Sequence, residues 1–212
     1  EQTLDLVARD VEEIISLCAH HVSVYCLTWE EGTAFWGKRA RGTLTPVVED
    51  LEREMYELVI DQLSVAGYQQ YEVSNFAQPA MTCRHNKAYW DCLAWEAFGP
   101  GAARFDGRKR TTNVRSVSAW IKKLLKDQSV TGDVDTMTPK GAARERLVLG
   151  LRQQCGVDRL AFFQASGFEV DDLAKKPIQA WVAAGLAEDD GCRIRLTRSG
   201  LLLSDSLWSA VL

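Results

Sequence analysis

Near the amino terminus, Leu4, Val7, Val11, Ile14, Ile15 and Cys18 recur at three- and four-residue spacing behind Thr3. That spacing predicts an amphipathic helix with Thr3 as its cap. His21 to Leu27 (HVSVYCL) then carries apolar side chains on both faces, predicting a strand covered from both sides as in a parallel sheet. Thr45-Pro46 predicts the opening of a second helix, with Leu51, Met55, Leu58, Val59 and Leu63 as its stripe and Gly67 as its stop. Tyr71 to Asn75 predicts the next strand. Strand, helix, strand in this order predicts a right-handed βαβ crossover, the unit of α/β barrels and doubly wound sheets.

Further on, Gly99-Pro100-Gly101 marks a turn, and Asp106-Gly107 within Ala102 to Thr112 marks a two-residue hairpin loop. A helix is expected next, with Val117, Trp120, Ile121, Leu124 and Leu125 inward. The polar stretch from Lys126 to Thr136 reads as a linker, and Thr138-Pro139 as a fresh helix start. Helices near 141–154, 158–167 and 177–185, a polar turn at 188–191, a strand at 193–197 and a terminal helix from Arg198 complete the pattern. Three short helices followed by a strand pair resemble a winged helix. The expected division is therefore 1–126 and 137–212.

Composition narrows the function classes. In 212 residues with 46% apolar content there is enough to bury a substantial core, and no disorder is expected. The net charge of −4, with both signs interspersed among 25% charged residues, builds no electropositive footprint for nucleic acid. Acidic Asp171-Asp172 and Glu188-Asp189-Asp190 speak against a DNA-reading tail. Apolar runs are far shorter than the roughly 20 residues that span a bilayer, so no transmembrane segment is expected. Glu1-Gln2-Thr3 does not open a secretory signal, and the expected location is cytoplasmic.

Six cysteines, at 18, 26, 83, 92, 155 and 192, form no close pairs and read as free thiols. Cys83, His85 and Cys92 come nearest to a metal set, yet their spacing matches no structural zinc pattern. The run Cys83-Arg84-His85-Asn86-Lys87-Ala88-Tyr89-Trp90, read as part of a strand-and-loop segment, offers a soft ligand, an imidazole and two flat rings. That set suits heme or a porphyrin, with His85 as an axial ligand to heme iron. The same residues also suit a hydrogen-bonded loop histidine, a small buried thiol and two core aromatics.

Five segments together resemble a known family: Val22 to Phe35 (VSVYCLTWEEGTAF), Tyr71 to Ala77 (YEVSNFA), the H-N-x-x-Y-W run ending at Trp90, Phe98 to Ala102 (FGPGA) and Arg195 to Leu203 (RLTRSGLLL). The family is that of HemW-type heme chaperones and oxygen-independent coproporphyrinogen III oxidases, within the radical S-adenosylmethionine (SAM) superfamily. The resemblance implies an α/β fold: the carboxy-terminal part of a partial (β/α)6 barrel, followed by a small, mostly helical, winged-helix-like domain. It implies heme, a [4Fe–4S] cluster and SAM as cofactors. The family's C-x3-C-x2-C cluster loop is absent, so no iron–sulfur ligand is expected in this chain, nor radical activity by it alone. The missing amino-terminal barrel half, or a second copy, is the expected complement, and an open strand edge predicts dimerisation or poor solubility.

By the same resemblance, His85, Cys83, Asn86, Tyr89 and Trp90 are the heme-binding candidates. Thr28, Gly99, Gly101 and Ala103 are the SAM-binding candidates. The chain departs from the family at Ala97, where a glycine is usual, and at Ala103-Arg104, where His-Ser is commoner. The function implied is binding heme and handing it to a heme-requiring acceptor protein. Two alternatives stand beside it. One is coproporphyrinogen III oxidation, converting two propionates to vinyl groups with a SAM-derived radical. The other is a non-catalytic binding module built on the tail, although Pro177 to Gly185 (PIQAWVAAG) carries no basic stripe.

Overall fold

Thr3 caps the first helix, α1 (Leu4–Ser16), its hydroxyl accepting from the Leu6 N–H at 3.3 Å. The computed structural model describes residues 2–212; Glu1, the first residue of the sequence-based division, lies outside them. The chain packs as two compact units divided between Cys83 and Arg84.

In the first unit, α1 lays Val7 and Val11 against α3 (Glu49–Val65), which buries Met55, Val59 and Leu63. Val22, Tyr68 and Phe76 complete this core. Helix α3 starts at Glu49 with Val48 as its cap, three residues beyond the expected Thr45-Pro46 opening. A short helix that the apolar pattern did not announce, α2 (Ala34–Ala40), precedes it, capped by Thr33. Arg39 lies over both Trp29 and Trp36, at 5.1 and 5.9 Å from the ring centroids.

The sheet of this unit differs from the expected parallel crossover. Strand β1 (His21–Ser23) is only three residues long. Beyond it, Tyr25 and Leu27 are exposed, so the stretch is not buried from both sides. The expected strand from Tyr71 to Asn75 divides into β2 (Gln69–Glu72) and β3 (Asn75–Ala77), an antiparallel hairpin. The sheet order is β1-β3-β2, with β3 antiparallel to both neighbours, so no parallel ladder forms. Side chains make the reversal at Val73-Ser74 possible. Tyr56 Oη and Gln70 Nε2 donate to the Val73 carbonyl, and Glu72 Oε1 accepts from the Ser74 N–H at 3.1 Å. The Val73 carbonyl and the Ser74 N–H are thus paired without a glycine.

The second unit opens with α4 (Arg84–Trp90). Strands β4 (Ala103–Phe105), β5 (Lys109–Asn113) and β6 (Thr131–Thr136) form an antiparallel meander, with Asp106-Gly107 at its first turn as expected. The Asp106 carboxylate accepts from the Arg108 and Lys109 N–H groups, which lowers its pKa. The stretch read as a linker is therefore mostly strand β6, paired along β5 from Lys109↔Thr136 to Asn113↔Thr131. Helix α5 (Val117–Leu124) forms as expected but buries none of its residues; Val117, Ile121, Leu124 and the following Leu125 are exposed.

The remainder is α6 (Pro139–Leu151), β7 (Val157–Asp158), α7 (Arg159–Ser166), α8 (Val170–Ala183), β8 (Ala187–Asp189), β9 (Arg193–Leu196), α9 (Arg198–Leu202) and α10 (Ser204–Leu207), with a final 3-10 turn at Trp208–Ala210. Strands β7, β9 and β8 pair in that order, all antiparallel. Helix α8 begins earlier than Pro177, because two helical segments join across a kink at Ala174. Pro177 then falls in the first turn after the kink, where an N–H has no helical acceptor. Leu147, Leu151, Val170, Ile178, Ile194 and Leu196 are buried in this unit.

Candidate functional site

The residues from Arg84 to Trp90 form a helix rather than part of a strand and loop. Arg, Lys and Ala favour helix and no glycine, proline or β-branched residue interrupts them. The helix ends as Cys92 takes a positive φ of 52° and the Leu93 N–H turns back to the Ala88 carbonyl at 2.9 Å.

Helical spacing sets His85 and Tyr89 on one face. His85 Nε2 and Tyr89 Oη are 2.7 Å apart, and the rings meet edge-on at 4.7 Å between centroids. Tyr89 in turn meets Trp95 edge-on at 4.5 Å, and Trp95 meets Phe105 at 4.8 Å. Trp95 is fixed from β4: it exchanges both backbone hydrogen bonds with Phe105, at 2.9 and 3.0 Å, and its indole N–H donates to the Ala103 carbonyl at 2.7 Å. The imidazole at the outer end of this aromatic ladder is solvent-exposed.

Trp90 is elsewhere on the helix, about 140° round from His85 by helical geometry. Its ring lies under the Arg152 guanidinium at 4.9 Å, and its buried indole N–H has no hydrogen-bond partner among the described residues. Lys87 and Asp91 tie α4 to Gln153, at 3.1 Å in each case. Thus His85 and Tyr89 come together, and Trp95 and Phe105, which sequence spacing did not single out, continue their stack. Asn86 is half-buried on α4, and Cys83, the last residue of the first unit, is half-buried with a free thiol. Cys92 is buried, and burial pushes its thiol up to about 11, so it stays neutral.

Among the described residues, no three His, Cys, Asp or Glu side chains gather to hold a metal ion. The donor set does not fit a zinc ion or an iron–sulfur cluster, whereas one accessible imidazole beside flat rings fits heme iron. Of the residues expected near SAM, Thr28 is exposed in the first unit, between β1 and α2. Gly99 and Gly101 take φ of 97° and 71°, and no atom lies within 4 Å of a Cβ built on Gly99. The Gly99 carbonyl accepts from Asn113 Nδ2 at 2.8 Å, and Ala103 pairs with Thr112 in the ladder. These glycines leave open backbone that a ligand could approach closely.

Comparison with known proteins agrees with these motifs. A family model described as the HemN C-terminal domain matches residues 137–203. The heme chaperone HemW of Bacillus subtilis is 32% identical over 211 residues, covering 100% of this chain and 56% of that protein. HemW of Lactococcus lactis is 31% identical over 211 residues, covering 100% of this chain and 55% of its own. Residues 137–203 thus carry the HemN C-terminal domain, and the chain along its length is similar to HemW heme chaperones.

This HemW-like chain spans about half the length of the curated relatives it matches. A mouse relative, the mitochondrial radical S-adenosyl methionine domain-containing protein 1, is 32% identical over 213 residues, covering 94% of this chain and 48% of that one. Among solved structures, coproporphyrinogen III oxidase (HemN) from Escherichia coli, a radical SAM enzyme, superposes with a TM-score of 0.79. That match covers 99% of this chain and 52% of the other; at 16% identity it shows the fold alone.

Proposed function

We propose that the protein binds heme through His85 and passes it to a heme-requiring acceptor protein, a reading supported by its likeness to proteins named heme chaperone HemW. One observation carries the reading: an exposed imidazole stands at the open end of the ladder formed with Tyr89, Trp95 and Phe105. An axial ligand needs a free approach for a wide flat group, and an aromatic wall beside it favours the face of a macrocycle. Asn86 lies on the same short helix. Cys83 stands one residue before that helix, as a second donor type. Trp90 contributes by fixing the helix on Arg152 rather than by facing the ring.

Bound heme would supply the iron that His85 holds. The polypeptide's own part is to present the imidazole, exclude water from one side of the ring and keep α4 fixed through Lys87, Asp91 and Gln153. In the full-length family protein, a [4Fe–4S] cluster and SAM would complete the cofactors. Gly99, Gly101, Ala103 and Thr28 are proposed on the SAM side, and the cluster ligands on the part of the relatives' length that this chain does not span, or on a second chain. The order α6, β7, α7, α8, β8, β9 supports a winged-helix-like reading of 137–212, beside a barrel-derived 1–126. A cytoplasmic site is proposed with it; among the described residues no helix is long and apolar enough to cross a membrane. The fold shared with HemN keeps the oxidase as a second reading.

Titration with ferric heme, followed by the Soret band, tests the main reading. Wild type should show a saturable shift, and His85→Ala should lose its axial signature and at least about tenfold in affinity. An unchanged spectrum and affinity in His85→Ala would remove the imidazole as ligand.

A further inference from the structure

A cavity of about 140 Å³ opens in the second unit between β4, the β4–β5 turn, α6 and the end of α7. It is below the ~300 Å³ from which pockets enclose whole drug-sized ligands, so it takes only a short group. Its lining is mixed: Cys92, Phe105 and Ala143 among others are apolar, and Arg108, Arg146, Glu145 and Ser166 are polar or charged.

The charges at this edge are unevenly used. Glu145 is neutralised by Arg110 at 2.6 Å, and that guanidinium also lies over the Phe105 ring at 5.5 Å. Ser166 spends its hydroxyl hydrogen on the carbonyls of Phe162 and Phe168. Arg146 donates one N–H to the Asp91 carbonyl at 3.2 Å. Among the described residues, neither Arg108 nor Arg146 has a carboxylate within ion-pair distance. Two guanidinium side chains lining one small hollow, neither paired with a carboxylate, match a short alkyl chain ending in a carboxylate. The Phe105 ring on the wall is the same ring that ends the ladder begun at His85.

We propose that this cavity receives an alkyl carboxylate, a propionate arm of the bound tetrapyrrole, with Arg108 and Arg146 clasping the carboxylate. The source of the carboxylate rests on the heme reading above. The alkyl chain would lie on Phe105 and Ala143. The neutral Cys92 thiol, kept so by burial, would add no opposing charge.

Parallel titrations with ferric heme and with its dimethyl ester test this, on wild type, Arg108→Gln and Arg146→Gln. Wild type should prefer heme by about tenfold, as expected for a charge-assisted pair. Each variant should lose that preference while keeping the wild-type Soret position, since His85 is untouched. Equal binding of heme and ester by wild type, or equal loss of both in the variants, would overturn the proposal. If wild type binds neither, the heme reading fails, and sodium propionate followed through the methyl signals of Ala142, Ala143 and Ala165 decides the cavity. Saturable shifts lost in the double variant would then support a site for free short-chain carboxylates. Their absence would overturn it.

Discussion

Tyr89 Oη lies 2.7 Å from His85 Nε2, one helical turn along α4, so this ring nitrogen already has a partner. For Nε2 to reach iron, this hydrogen bond has to break, at a net cost of about 1 kcal/mol.

Removing the phenol oxygen while keeping the ring should therefore help. Tyr89→Phe is expected to raise ferric heme affinity several-fold and leave His85 as the ligand. Equal or weaker binding in a Soret titration would show that Nδ1 serves instead, or that the hydroxyl itself touches the bound group.

Glu72 is fully buried, and its Oε1 takes the Ser74 N–H and the Asn75 side-chain amide, whose oxygen in turn accepts from Ser23 Oγ at 2.5 Å. Glu72→Ala would strand two donors and open a void, costing about 2–4 kcal/mol. Glu72→Gln keeps an acceptor there and should cost less than half as much. Urea unfolding of the two variants gives the comparison; equal losses would mean that the carboxylate does not hold the turn.

His21 Nε2 contacts Tyr71 Oη at 2.9 Å, and burial lowers the His21 pKa against the upward pull of Glu72. The unfolded chain then takes the proton more readily than the folded one, so stability rises with pH in this range. The contribution is complete above the unfolded value of about 6.5 and is lost as pH falls through the folded value. Between about pH 7.5 and pH 5, wild type should lose more stability than His21→Gln, which keeps a donor for Tyr71. Parallel curves for the two would refute the linkage.

Gly200 in α9 lies against the backbone of Leu186, whose carbonyl also accepts from the Thr197 N–H at 3.0 Å. A Cβ at 200 would collide with that carbonyl, so Gly200→Ala should destabilise by about 3 kcal/mol. Gly167, at φ 75° with open space around it, carries only the cost of a left-handed backbone, about 1–2 kcal/mol in Gly167→Ala. Thermal unfolding of the pair separates collision from conformation.

Local patterns were readable where one short segment decides the outcome. Thr3 and Thr138 cap α1 and α6, the Asp106-Gly107 signal makes a hairpin, and the stripe of Met55, Val59 and Leu63 is buried. The reading failed where distant partners decide. Thr131 to Thr136 has no apolar pattern and every residue is exposed, so only its backbone pairing with β5 makes it a strand. Val73-Ser74 has neither glycine nor proline, and its Val73 carbonyl is held by Tyr56, from another element. In the candidate site, the H-N-x-x-Y-W run pointed to His85 and Tyr89, but not to Trp95 and Phe105, which reach the stack through the β4 backbone.

The order of side chains along the chain determined the resemblance to HemW, the helices with strong caps and stripes, and the singling out of His85 and Tyr89, because each depends on neighbours in sequence. Tertiary structure alone decided that β3 enters between β1 and β2, that Trp95 rather than Trp90 extends the ladder, and that Arg108 and Arg146 line one hollow. Those outcomes follow from hydrogen bonds and packing between residues far apart in the chain, and neither periodicity nor spacing records which distant groups will meet.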